Sequence, residues 1–340
     1  MSTTSRPSLP EQPTVLDLDA TADDGRQTLG PGQRVGPYRI ERLLGEGGMG
    51  AVYLAEQIEP IQREVALKLI RAQLRSGLAE AYFLVERQAL ARMDHPAIAK
   101  VYDAGTTPQG HLFFAMEWIN GTTLSHYCAE HDLTLREKLE LFARICRGVQ
   151  HAHQKGVIHR DLKPSNVLVT QIDGQPAPKI IDFGIAIGSD QRGAVASQTP
   201  ERVGTLGYMS PEQRSGKSGA IDTRTDVFAL GMMLLEMLAP PALRETIAQT
   251  PDEDGALHAA LLGSLGRQNA QSVAGDVAGL TAIPRELRWV LARAIAPVRT
   301  GRYESAQALA DDLDRYLHRY PLTAVPATPA YRLRCFASRN

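Results

Sequence analysis

A chain of 340 residues with 43% hydrophobic side chains can bury a core of its own and has room for a catalytic unit of two lobes with tails. Its 37 basic and 38 acidic residues leave a formal charge of -1, which removes any bulk electrostatic argument for binding nucleic acid or an anionic membrane. Cys128, Cys146 and Cys335 lack the paired spacing of zinc or redox sites, and the best apolar run, residues 227–238, is too short to cross a bilayer and holds Glu236. No membrane span is expected within this chain, and the cysteine usage points to a reducing, cytoplasmic setting.

Residues 1–34 mix Pro, Ser, Thr, Asp and Gly without hydrophobic periodicity and read as a disordered tail. Thr14, Thr21 and Thr28 stand near acidic residues in it, either as solvated linker or as phosphorylated docking positions. From Tyr38 the pattern turns to short β-rich runs. Tyr38-Arg39-Ile40-Glu41-Arg42-Leu43-Leu44 alternates, and Ala51-Val52-Tyr53-Leu54-Ala55 resumes after Gly45-Glu46-Gly47-Gly48-Met49-Gly50, which predicts a hairpin with a glycine-rich turn. Glycines there leave backbone N–H groups open to a phosphate, although a plain mobile turn has the same composition. The turn joins strand to strand, which argues against a dinucleotide-binding or Walker-type loop.

The next strand, Glu64-Val65-Ala66-Leu67-Lys68-Leu69-Ile70, sets a lysine between apolar neighbours. Such a lysine belongs at the mouth of a cleft with a carboxylate and a phosphate as partners, where an edge-strand lysine would face solvent. Residues 78–93 read as a helix that offers Glu86 as the carboxylate, with Glu80 competing, and His95-Pro96 stops it. Strands at 101–102 and 111–116 lead to a polar connector, Glu117-Trp118-Ile119-Asn120-Gly121, beyond which residues 135–154 have helical spacing. A small β-rich half followed by a larger helical half is the architecture implied. The second helical stretch runs into His159-Arg160-Asp161-Leu162-Lys163-Pro164-Ser165-Asn166, where Pro164 prevents a regular helix, so Asp161, Lys163 and Asn166 point into one space. Two oxygen donors and an ammonium there suit a phosphate with its metal ion. His151, His153 and His159 cluster nearby, but no cysteine or acidic pair completes a zinc set.

Taken in order, the loop at 45–52, Val65-Ala66-Leu67-Lys68, Glu86, the stretch 159–166, Asp182-Phe183-Gly184 and Ser210-Pro211-Glu212 resemble the eukaryotic-type protein kinases, specifically their bacterial serine/threonine branch. The resemblance covers roughly residues 38–317. It implies an α+β, bilobal protein kinase fold: a small β-rich N-lobe with one main helix at 35–118, a larger α-helical C-lobe at 119–320, and a C-terminal juxtakinase tail at 321–340. It also implies ATP and Mg2+ as cofactors, with Mn2+ as an alternative metal, and protein substrates phosphorylated on serine or threonine.

Residue by residue, the resemblance implies that Lys68 holds the α- and β-phosphates and pairs with Glu86, while Leu44, Gly45, Glu46, Gly47, Gly48, Met49 and Gly50 cover them. Asn166 and Asp182 hold the metal. Asp161 orients the acceptor hydroxyl and takes its proton, with Lys163 offsetting charge; Lys163 and Thr205 carry the serine/threonine pattern. Met116, Glu117, Ile119, Val52, Ala66 and Leu168 surround adenine, although Met116, Val52, Ala66 and Leu168 would serve equally as core. Arg160 receives a phosphate from the activation segment, with Ser197 and Thr199 either autophosphorylated or ordinary loop hydroxyls, and a homodimer for trans-autophosphorylation is implied as a partner state.

Asp226 either caps the apolar helix it opens or, by the resemblance, anchors the catalytic-loop backbone. Glu212 pairs with Arg302 or with Arg299; here the sequence departs from the family, with Ala296-Pro297 where an acidic residue usually precedes the proline. Residues 240–281 also diverge, residues 305–317 form an amphipathic helix, and the basic Tyr331-Arg332-Leu333-Arg334-Cys335-Phe336 reads as a surface tail or as a segment leading into a longer protein. A pseudokinase scaffold is disfavoured by the intact set Lys68, Glu86, Asp161, Asn166 and Asp182, and a small-molecule kinase by Thr205 and Ser210-Pro211-Glu212.

Overall fold

A computed structural model describes residues 29–47, 50–70, 88, 90–107, 111–183, 207–215, 221–249, 256–266, 279–326 and 328–337. The chain divides into two compact units, one of Met1–Leu74 with Tyr102–Trp118 and the other of Arg75–Val101 with Ile119–Asn340.

The first unit is built on a six-stranded sheet: β1 (Arg34–Val35), β2 (Tyr38–Gly47), β3 (Gly50–Gln57), β4 (Arg63–Ile70), β5 (Val101–Thr106) and β6 (Leu112–Glu117), in the order β1-β2-β3-β4-β6-β5. Alternation along the strands fixes which side is buried. Tyr38, Ile40, Tyr53, Ala55, Val65, Leu67, Phe113 and Ala115 form a core cluster, and the Tyr38 ring meets Phe113 edge-on at 5.6 Å. Residues 29–34 differ from the expected disordered tail. The Leu29 N–H donates to Tyr53 Oη at 3.0 Å, Gly32 N–H donates to the Ile40 carbonyl at 2.8 Å, and Leu29 packs against the core cluster. Apolar contact together with backbone hydrogen bonds is enough to order a segment whose composition alone reads as linker.

Within the second unit Ile98 bridges Ile180 in parallel, and Ala99 N–H and Ile180 N–H donate to Ile180 O and Ala97 O at 3.0 and 2.8 Å. Of the helix expected at 78–93, residues 88, 90 and 91 are helical; Glu80 and Glu86 lie outside the described residues.

The second unit contains β7 (Thr122–Thr123), α1 (Leu124–Glu130), α2 (Leu135–Gln154), β8 (Val167–Ile172), β9 (Gln175–Ile180), α3 (Pro211–Arg214), α4 (Thr223–Leu238), α5 (Pro241–Gln249), α6 (Ala256–Gly266), α7 (Arg285–Ala294), α8 (Ala306–Leu317) and α9 (Pro329–Ala337). Helix α2 starts at a capping box, in which Thr134 and Glu137 satisfy each other's backbone N–H groups. β8 and β9 pair through the tight turn Asp173-Gly174, both residues having positive φ (51° and 73°), which is the geometry a two-residue hairpin requires. Helix α4 is buried on every side, and this explains why an apolar run too short for a bilayer is apolar all round. Gly231 on α4 allows a close helix crossing, since a Cβ there would lie 2.7 Å from Ala294 Cβ and from Ile295 Cγ2. The cap of α4 is Asp222, whose Oδ1 accepts the Arg224 N–H at 2.8 Å; Asp226 is not the cap.

The C-terminal segment is fastened by Asp312, a fully buried carboxylate on α8. Its Oδ1 accepts the Thr323 N–H at 2.8 Å, and its Oδ2 accepts Tyr303 Oη–H, Thr323 Oγ1–H and the Ala324 N–H at 2.9, 2.8 and 2.9 Å. Leu322 is buried alongside. An Asp312→Asn variant replaces one accepting oxygen by an NH2 group that faces donors. It is expected to lose about 2 kcal/mol of stability, measurable as a lowered denaturation midpoint with the far-UV circular dichroism at low temperature unchanged.

Candidate active site

In the first unit, strand register decides the role of the apolar residues around Lys68. Val52 lies opposite Lys68 and Leu54 opposite Ala66, while on the other side of β4 Ala66 faces Met116 and Lys68 faces Phe114. Cross-strand partners share a face, so Val52, Ala66, Lys68 and Met116 all lie on the side opposite the core cluster of Tyr53, Val65, Leu67 and Ala115. Val52 and Ala66 are only half-buried, whereas Lys68 and Met116 are buried. Of the four apolar residues that could equally serve as core, Val52, Ala66 and Met116 thus lie off that cluster, Met116 being buried all the same, while Leu168 belongs to the second unit. Leu44, Gly45 and Glu46 are exposed and Gly47 and Glu117 half-buried. Gly50 has φ 151°, and a Cβ there would sit 1.9 Å from Leu69 O, so only glycine fits where the loop returns to β3. Gly48 and Met49 lie outside the described residues.

In the second unit the loop at 159–166 is suspended from Asp226, which is 1% exposed. Its Oδ2 accepts the His159 N–H at 2.7 Å and its Oδ1 the Arg160 N–H at 2.9 Å, while His153 Nε2 approaches Oδ2 at 2.8 Å. Those bonds hold Arg160 at φ 65°, a conformation costly for a side chain with a Cβ. The His159 ring is oriented by its neighbours: Nε2 faces the Ile181 carbonyl at 3.0 Å and donates to it, and Nδ1 lies 3.4 Å from the Asp161 backbone N. Its ring also lies 4.8 Å from Phe183. His153 and His159 are thus explained by the loop they support, and among the described residues no cluster of three His, Cys, Asp or Glu could hold a metal ion.

Lys163 stays extended (φ -156°, ψ 162°) before a short 3-10 turn, Pro164–Asn166, as the proline demands. The result is convergence. Lys163 Nζ lies 3.2 Å from Asp161 Oδ2, and Asn166 Nδ2 donates to the Asp161 carbonyl at 2.7 Å and to its carboxylate at 3.3 Å. Both polar hydrogens of Asn166 face Asp161, which leaves the amide oxygen as its donor atom for a cation. The Ile181 N–H donates to Asn166 O at 2.9 Å, bringing the next residue, Asp182 (φ 55°), to the same loop. An amide oxygen and a carboxylate form an all-oxygen donor set of the kind hard divalent ions take. Ile119 is buried and Leu168 half-buried in this unit.

Glu212 meets Arg302: Nη1 and Nη2 donate to the two carboxylate oxygens at 2.7 and 2.8 Å. Arg299 instead pairs with Asp222 at 2.9 Å. Where the sequence lacks the usual acidic residue, Arg302 donates to backbone carbonyls, those of Ala296 at 2.7 Å and Pro297 at 3.2 Å. Burial pushes the Glu212 carboxyl up, but hydrogen bonds from Arg302, its own backbone and Thr225, with the Arg302 charge, outweigh it and hold Glu212 below the ordinary carboxylate value. Thr205, Ser197 and Thr199 lie outside the described residues; Arg160 has a buried Nε without a hydrogen-bond partner.

Two residues of this region escaped the sequence reading. Gln213 Nε2 donates to the Arg160 carbonyl at 2.6 Å, and Tyr208 Oη donates to the buried Glu236 carboxylate, which also accepts Ser125 Oγ–H at 3.0 Å. Ser210 and Gln213 have capping-box spacing, a visible signal for the first. No local signal marks the second.

The protein kinase domain model matches residues 38–310. The chain is 39% identical over 211 residues to serine/threonine-protein kinase PknB of Mycobacterium tuberculosis, covering 60% of this chain and 33% of that protein. It is 37% identical to serine/threonine-protein kinase PrkC of Bacillus subtilis, over 61% of this chain and 31% of PrkC. The chain thus spans about a third of the length of these curated relatives. Among solved structures, the Mycobacterium tuberculosis PknI kinase domain is similar with a TM-score of 0.60 and 26% identity, over 85% of this chain and 99% of that one. With a bilobal α+β kinase fold and a family model matched over most of its length, the chain belongs to the protein kinase domain family.

Proposed function

We propose that this chain is a bacterial serine/threonine protein kinase that transfers the γ-phosphate of ATP to serine or threonine hydroxyls of proteins, including its own activation segment at Ser197 and Thr199. The observation that carries the reading is the convergence of Asp161, Lys163 and Asn166 on a loop held rigidly by Asp226. The Asp161 carboxylate accepts the hydrogen bond of the acceptor hydroxyl, aims its oxygen at the phosphorus, and takes its proton as the new bond forms. Lys163, beside that carboxylate, offsets negative charge on the phosphoryl group. Lys68, paired with Glu86, holds the α- and β-phosphates, the loop at 44–50 covers them, and Val52, Ala66, Met116, Glu117, Ile119 and Leu168 receive adenine. Magnesium, with manganese as a substitute, held by Asn166 and Asp182, neutralises phosphate charge when bound. Thr205 and Lys163 set the preference for serine and threonine, and Arg160 receives the activation-segment phosphate. Modification in trans within a homodimer and a cytoplasmic location belong to the same proposal.

Radiolabelled ATP with magnesium tests it directly. Wild type should label itself and dephosphorylated casein, while Asp161→Asn lowers transfer by about 10²-fold or more and Lys68→Met abolishes productive ATP use. A wild-type protein that leaves both acceptors unlabelled, with magnesium or manganese, would overturn the reading.

A further inference from the structure

Helix α6 lies within the divergent stretch 240–281, yet it reaches the site through one side chain. His258 is 4% exposed. Its Nε2 lies 3.1 Å from the Gly207 carbonyl and its Nδ1 3.1 Å from Arg214 Nη2, and its ring packs 5.1 Å from Phe228 on α4. The partners fix the chemistry. A carbonyl only accepts, so Nε2 carries the hydrogen; a guanidinium only donates, so Nδ1 must be the bare acceptor. One neutral imidazole therefore ties together the two ends of the segment 207–214. Burial and the Arg214 charge push its pKa down to about 4, so this tautomer persists at neutral pH.

What that segment does gives the tie its meaning. Tyr208, Met209 and Gln213 line the same cavity as Asp161 and Leu162. Gln213 also donates to the Arg160 carbonyl, inside the catalytic loop. The segment thus shares with Asp161 the lining of one small cavity, to which Thr225, Asp226 and Ala229 of α4 also contribute.

We propose that His258 is a positioning residue for the protein substrate: by clasping Gly207 to Arg214 it sets the wall formed by Tyr208 and Met209 at the distance from Asp161 that an incoming serine- or threonine-bearing chain requires. This rests on the kinase reading above. The contacts of its ring nitrogens and ring face are with Gly207, Arg214 and Phe228, which are not among the residues proposed to hold the nucleotide.

The test uses the full chain and two substitutions. His258→Phe keeps the ring against Phe228 and removes both hydrogen bonds; His258→Gln keeps an N–H donor for Gly207 and a carbonyl acceptor for Arg214. With casein as acceptor, His258→Phe is expected to raise the KM for casein about tenfold while the KM for ATP stays at the wild-type value, and His258→Gln should recover much of the loss. Amide hydrogen exchange, which needs no activity, should speed up about tenfold within 207–214 in His258→Phe and stay unchanged in α2 and α4. Unaltered exchange in 207–214 would overturn the clasp even in a protein that transfers no phosphate. Faster exchange with an unchanged casein KM, or with the two KM values rising together, would overturn its role in substrate positioning. Uniformly faster exchange across the unit, unrescued by glutamine, would reduce His258 to a packing residue and likewise refute the proposal.

Discussion

An Asp226→Asn variant is expected to transfer phosphate about 10²-fold more slowly than wild type or worse, with little change in its KM for ATP. The carboxylate accepts from the backbone N–H groups of His159 and Arg160 on different oxygens. Asparagine keeps one oxygen and turns an NH2 group toward the other donor, so a buried N–H is left without a partner at a cost of about 1–3 kcal/mol. That bond also opposes the cost of Arg160 at φ 65°. Once it is gone, Arg160 relaxes toward negative φ and Asp161, the next residue, moves with it. A displacement near 1 Å suffices for the expected loss, because the carboxylate acts by geometry. Steady-state kinetics with ATP and casein varied separately decides the matter: wild-type kcat in Asp226→Asn would show that the loop holds its shape without this anchor.

Stability should fall most steeply when one partner of Glu212–Arg302 is removed. Arg302→Met leaves the Glu212 carboxylate buried without its cation, together with the Ala296 and Pro297 carbonyls that the guanidinium also satisfies. The expected cost is about 3–5 kcal/mol. The double variant Glu212→Leu with Arg302→Met should recover a large part of it, since no buried charge then remains. The pair also has a pH dependence of definite sign. Glu212 is held below its ordinary value when folded, so its contribution is fully present above the unfolded carboxylate pKa, near 4.3, and disappears as pH falls through the lower folded value. Urea midpoints of wild type and Arg302→Met should therefore converge in acid and stay apart at neutral pH; a constant gap would mean that the pair does not carry the loss.

Much of the catalytic loop was legible in the chain because its chemistry is local. Proline after Lys163, and acid, base and amide within a few residues, are enough to make Asp161, Lys163 and Asn166 converge. The alternating strands were legible too, and pairing parity then separates Val52, Ala66, Lys68 and Met116 from the core cluster. What stayed hidden involves partners distant in sequence or acceptors that carry no side-chain identity. Arg302 finds the carbonyls of Ala296 and Pro297, which look the same in every residue, so these bonds had no sequence signal. Asp222 and Asp226 both stand near the start of α4, and only the direction of each side chain assigns the cap to the first and the loop to the second. Leu29 was read by its Pro- and Gly-rich neighbourhood, whereas its position is decided by Tyr53, 24 residues later.

The knot around Asp312 separates two meanings of the word domain. The family match closes at residue 310, which would place the unit's edge just before a carboxylate that accepts hydrogen bonds from Thr323 and Ala324. Judged by likeness, those later residues are appendage. Judged by what must be solvated or bonded, they are structural: cutting the gene at the homology edge would discard Asp312, the acceptor of the Tyr303 hydroxyl, and cutting between Arg315 and Thr323 would keep the Arg315 ion pair but lose three hydrogen-bond donors to the carboxylate. The smallest autonomous piece of this domain is accordingly defined by hydrogen-bond closure, and it extends into the residues that likeness alone would trim.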